Sequence, residues 1–138
     1  MRLFINADRV YKTGWEGYDF VINRVFPTEN KAVIEKSISG WEWKNIGTVN
    51  YTVSGNEMMI SISRGMLGLN DKLIDIEFKW NDNMQNEGVM DFYTNGDTAP
   101  IGRYAYRHTE TTENDTTPVN EPVTVTQLKR NQYSKSVI

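Results

Sequence analysis

Residues 48–63, which read TVNYTVSGNEMMISIS, decide the fold class of this chain. Apolar and polar side chains alternate on both sides of a Ser-Gly-Asn turn at residues 54–56, and alternation with a period of two is typical of a strand with one buried face. The apolar members are Val49, Tyr51 and Val53 before the turn and Met58, Ile60 and Ile62 after it. The stretch therefore predicts a β-hairpin.

Similar patterns on both sides of this hairpin predict an all-β chain. Glycines limit residues 63–69 to a single helical turn, and residues 40–44 place Trp41 and Trp43 on the same side of the chain. The other predicted strands are residues 2–8, 18–25, 31–39, 72–80, 89–93 and 103–107, with a turn at residues 27–30. Short strands in this number predict an antiparallel β-sandwich with one short helical turn.

Bulk composition excludes several classes of function. The chain has 138 residues, the size of one domain, and its formal net charge of −3 disfavours a nucleic-acid partner, which needs clustered Lys and Arg. It has no cysteine, so disulfides and thiolate metal sites are excluded. It also has no apolar run long enough to span a membrane.

Composition divides the chain into three parts. We expect residues 1–107 to form the sandwich domain, residues 108–122 to form a polar linker or exposed loop, and residues 123–138 to form a C-terminal strand or tail. The middle part is rich in Thr, Glu, Asn, Asp and Pro. Because residues 2–7 look like a strand already under way, we also expect the natural chain to begin earlier.

The first candidate site is a loop in which Trp15 stands between two glycines. An exposed indole there suits stacking on a sugar ring, with Asp8, Glu16 or Asp19 binding hydroxyl groups or a cation. The alternative is that Trp15 caps one end of the sandwich and that Asp19 binds local backbone amides.

The second candidate site follows Trp80, at the end of a predicted strand. Trp80 is in phase with Ile74, Ile76 and Phe78, which favours core packing, although its edge lies where the core meets the loops. The Asn-Asp-Asn sequence at residues 81–83 offers the oxygen ligands that Ca²⁺ prefers. Arg103, after Pro100 and Gly102, either reaches a ligand or covers a strand end.

Chemistry that needs a catalytic side chain is weakly indicated. The carboxylates of Asp91 and Asp97, with those of Asp82 and Glu87, are candidates for a glycoside-hydrolysing pair, but their spacing fixes no separation. His108 is the single histidine and lies where order is expected to end, which argues against a catalytic triad.

Five segments together resemble the family-nine carbohydrate-binding-module-like, DOMON-type β-sandwiches of bacterial extracellular proteins. They are LFINAD at 3–8, TGWEGYDFVINR at 13–24, ISRGMLGL at 62–69, FKWNDN at 78–83 and MDFYTNGDTAPIGRYAY at 90–106. The resemblance implies an Ig-like or jelly-roll sandwich in a secreted, periplasmic or cell-surface protein. The strands that usually precede LFINAD are missing, so an open sheet edge is expected unless a neighbouring domain or second copy covers it.

The resemblance also implies a ligand and a metal. A polysaccharide or oligosaccharide would lie between two tryptophans, for which Trp15 and Trp80 are the matching positions. The remaining ligand-binding candidates are Asn83, Tyr93 and Arg103, and the candidates for a Ca²⁺ site are Asp8, Asp19 and Asp82.

We therefore expect a non-catalytic carbohydrate-binding domain. Two alternatives from other classes stay open. One is an interaction domain without a small ligand, which pairs with a partner strand through an open sheet edge. The other is a glycoside-processing enzyme.

Overall fold

The computed structural model describes residues 1–25 and 30–111, and these residues form an antiparallel β-sheet. The sheet order is β5-β4-β3-β2-β1-β6-β7, and β8 also pairs with β6. The strands are β1 (Arg2–Asn6), β2 (Phe20–Ile22), β3 (Lys31–Ser39), β4 (Glu42–Ser54), β5 (Glu57–Ser61), β6 (Asp75–Asp82), β7 (Asp97–Ala99) and β8 (Tyr106–Thr109). The all-β prediction is confirmed, and the strands form one curled sheet, which fits a β-sandwich.

Two predictions of local structure are confirmed. Strands β4 and β5 form the expected hairpin, in which Ser54 lies opposite Glu57 and residues 55–56 make the turn. The expected helical turn is a 3-10 helix over Arg64–Leu67, which begins after Ser63 and ends at Gly68. The predicted linker began at residue 108, but residues 108 and 109 belong to β8. The rest of the linker beyond residue 111, the predicted C-terminal strand or tail and most of the turn at 27–30 lie outside the described residues.

The inner core lies on one side of the curled sheet and is apolar. Every strand from β1 to β6 contributes to it, because alternate residues of each strand point inwards. Its buried members include Leu3, Ile5, Phe20, Ile22, Ile34, Val49, Ile60, Ile76 and Phe78. Val53 was expected on the same side, but it lies near the hairpin tip and is exposed.

The opposite side of the sheet carries an aromatic layer, which we call the outer layer. Its buried members are Phe4, Trp15, Tyr18, Val21 and Phe92, with Trp41, Trp43, Met84 and Tyr93 packed against them. The ring of Phe4 is central to the layer, because ring centroids of five neighbours lie 4.7–6.3 Å from it. As predicted, Trp41 and Trp43 lie on the same side.

Residues 89–93 were predicted to form a strand, and this prediction is wrong. Asp91–Asn95 is instead a π-helical turn. The carboxylate of Asp91 accepts hydrogen bonds from the Asn86 backbone, at 2.6 Å, and from the Asn95 side chain, at 3.3 Å. These local bonds replace a strand ladder, as short Asx contacts commonly do, and the turn delivers Phe92 to the outer layer.

The ends of the sheet also differ from expectation. The first strand, β1, was expected to leave an edge open, but it pairs with β2 on one side and β6 on the other. Among the described strands the edges are therefore β5 and the β7 and β8 side. The last strand begins at Tyr106, later than the predicted Arg103, and extends to Thr109.

A steric test of the fold lies in the loop between β1 and β2. Gly14 has a φ of +69°, and an added Cβ would lie 2.1 Å from the carbonyl oxygen of Tyr18, which accepts a hydrogen bond from Trp15 N–H. Gly68 has a φ of +72° with nothing within 4 Å of an added Cβ. We expect Gly14→Ala to lower the free energy of unfolding by about 3 kcal/mol and Gly68→Ala by about 1 kcal/mol.

Chemical denaturation of the two variants measures this difference. The backbone conformations are nearly the same, so equal losses would contradict the packing described for the Gly14 loop.

Candidate functional site

Trp15 does not offer the exposed ring that the sequence suggested. Its side chain is 8% exposed, and its ring centroid lies 4.4 Å from that of Trp41 and 4.8 Å from that of Phe92. A stacking platform needs a free ring face, and neighbouring rings surround Trp15. The indole therefore caps the outer layer, which was the alternative interpretation.

Trp80 lies on the other side of the sheet from Trp15. It is opposite Leu3 in the β1–β6 register and packs against the inner core. The expectation that Trp15 and Trp80 hold a sugar ring between them is therefore wrong, because the sheet separates the two indoles. The in-phase position of Trp80 on β6 had already favoured core packing.

The three aspartates proposed for calcium do not meet at one place. Asp8 follows β1 and Asp19 precedes β2 at one end of the sheet, where they accept hydrogen bonds from the backbone N–H groups of Val10 and Ala7, respectively, each at 2.8 Å. Asp82 lies at the far end of β1 and contacts the Met1 amino group at 3.1 Å, which lowers the pKa of Asp82. Residues 1–25 and 30–111 contain no group of three or more His, Asp or Glu suited to hold a metal.

Of the aspartates considered for hydrolysis, Asp91 is engaged locally and the other two lie opposite each other in the sheet. The carboxylate of Asp91 is engaged by the π-helical turn, and these hydrogen bonds lower its pKa. Asp82 and Asp97 are register partners on β6 and β7. Asn83, with a positive φ of 54°, is exposed, and its side-chain oxygen accepts a hydrogen bond from Gln85 at 2.7 Å.

Tyr93 and Arg103 are the two predicted ligand-binding residues that the fold brings together. The guanidinium carbon of Arg103 lies 5.2 Å from the centre of the Tyr93 ring, within cation–π range. The Tyr93 hydroxyl donates a hydrogen bond to Glu16 Oε2 at 2.9 Å. Burial, followed by this hydrogen bond, raises the pKa of Tyr93 to about 12.

The chain leaves the sheet opposite Lys79, close to the contact between Tyr93 and Arg103. On β6, Trp80 pairs with Ala99 of β7 and Phe78 pairs with Tyr106 of β8. Lys79 falls between these two pairs, so residues 100–105 bulge away from the strand. We call this segment the β7–β8 loop.

The Lys79 ammonium group holds the β7–β8 loop from beneath. It donates hydrogen bonds to the carbonyl oxygens of Pro100, of Gly102 at 2.7 Å and of Tyr104 at 3.2 Å. The side chain is fully buried, and the ammonium lies 5.5 Å from the centre of the Phe92 ring. Burial lowers the pKa of Lys79 to about 8.

The loop fixed in this way projects three large side chains into solvent. Ile101 is 76% exposed and Tyr104 is 75% exposed, and Arg103 between them is exposed as well. Sequence reasoning named Arg103 but missed Tyr104 and Lys79. Alternation places Lys79 with Asp75 and Glu77 on the polar side of β6, and no local signal distinguishes a buried lysine there from a solvated one.

A second polar cluster beside the outer layer is engaged within the fold. Arg24 binds both carboxylate oxygens of Glu35, at 2.8 and 2.7 Å, and Glu87 accepts a hydrogen bond from the Trp41 indole at 2.7 Å. Arg24 also lies 3.6 Å from Glu87. The network positions Trp41 in the fold and leaves these groups little capacity for a ligand.

No family model matches this chain, and no curated protein or solved structure matches it either. None of the helical segments among residues 1–25 and 30–111 is long and apolar enough to cross a membrane. Function therefore has to be argued from the β7–β8 loop site, which comprises Tyr93, Arg103 and Tyr104 above Lys79.

Removing the Lys79 ammonium should release the loop. In Lys79→Met three carbonyl groups lose their donor, so we expect the unfolding free energy to fall by about 2 kcal/mol. Amide hydrogen exchange should accelerate over residues 101–105 more than elsewhere. Lys36→Met is the matched control, because Lys36 is exposed and its loss should cost under about 0.5 kcal/mol. Equal exchange in both variants would contradict the proposed role of Lys79.

The pH dependence of stability provides an independent check. The pKa of Lys79 is about 8 in the native state against 10.5 in the unfolded chain. Between these values the unfolded chain binds more protons, so Lys79 makes the unfolding free energy rise with pH. Tyr18 and Tyr93 have raised pKa values, so they make the unfolding free energy fall as pH rises. This effect begins only above their unfolded pKa of 10.0.

Urea denaturation at several pH values between 8 and 10 measures this slope. We expect Lys79→Met to be less dependent on pH over that interval than the wild-type protein. The same slope in both proteins would show that Lys79 titrates normally.

Proposed function

We propose that this chain is a non-catalytic carbohydrate-binding domain whose ligand stacks on Tyr104. The observation that carries the proposal is an aromatic ring, 75% exposed, on a backbone segment that a buried ammonium group holds. Aromatic rings offer flat apolar faces with a polar tip, which suits the apolar face of a sugar ring. The site therefore moves from the predicted Trp15 to the β7–β8 loop.

Preorganisation supports binding at this loop. Ordering a flexible loop when the ligand arrives costs free energy, and a loop that is already ordered avoids that cost. Lys79 fixes the backbone on both sides of Arg103, at Gly102 and at Tyr104. The exposed side chains therefore need to lose only their own rotational freedom on binding.

Arg103 supplies the polar part of the proposed site. Its guanidinium group lies over the Tyr93 ring, and a planar fork of N–H donors suits two neighbouring oxygen atoms on one ligand. A sugar ring stacked on Tyr104 would present such oxygens beside the adjacent arginine. Tyr93 thus acts as a support for Arg103, and its hydroxyl is engaged by Glu16.

The sequence resemblance is a second support for a glycan ligand. It is also the basis on which we propose a secreted, periplasmic or cell-surface location. Calcium has no part in the proposed site, because Asp8, Asp19 and Asp82 do not converge near the β7–β8 loop.

A second candidate function is strand pairing with a partner protein at β5. Within the described part of the chain β5 pairs with β4 alone, and Met59 on β5 is 36% exposed. An unpaired edge strand is a template for another strand. A monomer by light scattering that captures no strand peptide would argue against this alternative.

Calorimetric titration with a panel of soluble polysaccharides tests the carbohydrate proposal. Tyr104→Ala should weaken binding by at least about 2 kcal/mol, the loss expected for a central aromatic contact. The control is Tyr11→Ala, because Tyr11 is 64% exposed on a different loop. Binding that survives Tyr104→Ala, or no heat with any polysaccharide, would contradict the proposal.

A further inference from the structure

Arg103 differs from most described arginines in having no carboxylate partner. Among residues 1–25 and 30–111 no ion pair forms at its guanidinium group, and its contact is the Tyr93 ring. Arg9, Arg24, Arg64 and Arg107 each form an ion pair with an aspartate or glutamate. Arg2 also lacks one, but it donates a hydrogen bond to Met84 Sδ at 3.4 Å. Arg103 is therefore an exposed cation whose donors face solvent.

Within the described part of the chain, a second cationic group beside Arg103 also has no carboxylate partner. The Lys79 ammonium lies beneath the same loop, where carbonyl oxygens rather than a carboxylate are its partners. Glu16 accepts the Tyr93 hydroxyl hydrogen bond and does not pair with Arg103. A guanidinium group and an ammonium group without a carboxylate partner favour a ligand that carries negative charge.

We infer that the ligand of the β7–β8 loop is an acidic glycan, whose uronic acid ring stacks on Tyr104 and whose carboxylate binds Arg103. The inference rests on the proposed carbohydrate-binding function and names the class of its ligand. An Arg guanidinium and a carboxylate match as two parallel N–H···O hydrogen bonds. A neutral sugar can stack on Tyr104 but leaves that match unused.

The direct test compares an oligogalacturonate with its methyl ester by calorimetry on the full chain. The two ligands share rings and linkages and differ in charge. We expect the acid to bind about tenfold more tightly, the change that ~1.4 kcal/mol produces. Its affinity should fall as salt rises from 50 to 500 mM, because exposed ion pairs are screened. Equal affinities for acid and ester would overturn the inference while leaving the carbohydrate proposal intact.

Two variants should shift the acid's affinity in opposite directions. Arg103→Gln should lose most of the tenfold preference, whereas Glu16→Gln should bind the acid about threefold more tightly, because it removes a like charge and keeps an acceptor for Tyr93. Arg103→Gln should weaken binding of the ester less than binding of the acid, so that the ratio of the two affinities falls, and Glu16→Gln should change affinity for the ester by no more than about twofold. A preference for acid that persists in Arg103→Gln would overturn the inference.

Other anionic polymers, titrated in the same way, identify which chemical features of the ligand are required. Dextran sulfate that binds as tightly as the oligogalacturonate would overturn the carboxylate assignment, and poly-glutamate that binds as tightly would overturn the assignment of a sugar ring. If neither the acid nor any neutral polysaccharide binds, the carbohydrate proposal itself fails, and this result differs from neutral binding without an acid preference.

Discussion

The buried ammonium group of Lys79 is the constraint on which the candidate site depends. A charged group taken out of water must be hydrogen-bonded, and here three backbone carbonyl oxygens meet that need. The same bonds satisfy carbonyl groups that lost their strand partners where β7 ends and β8 has not begun. The Lys79 side chain therefore compensates for the interruption in the sheet edge between β7 and β8, and it fixes the shape of the loop there.

The two sides of the curled sheet are stabilised in different ways. The inner core is apolar, so its packing depends only on the shapes and volumes of its side chains. The outer layer mixes aromatic rings with buried polar groups, among them Asn6, Glu35, Lys79 and Asn81. Because each polar group there needs a partner, the loops that cover this side are held by specific bonds, which is how a loop comes to present Tyr104 and Arg103 in a fixed position.

Alternation in the sequence was enough to predict most of the strands and the β4–β5 hairpin, and the glycines of residues 63–69 predicted the 3-10 turn. It also placed Trp80 with the inner core, since a period of two reports which residues share a face. It cannot report what covers that face, so Trp15 looked exposed although the π-helical turn brings Phe92 against it. Residues 89–93 were mispredicted because the local bonds of Asp91 outweigh the apolar pattern of the segment.

The most direct test of this account is an NMR titration of the Lys79 side chain, followed through its ammonium nitrogen. If the ammonium is buried and held by the β7–β8 loop, it titrates with a pKa of about 8, and its protons exchange slowly with water below that pH. A pKa near 10.5, the ordinary lysine value, together with rapid exchange, would mean that Lys79 is solvated and that the loop is not held in this way.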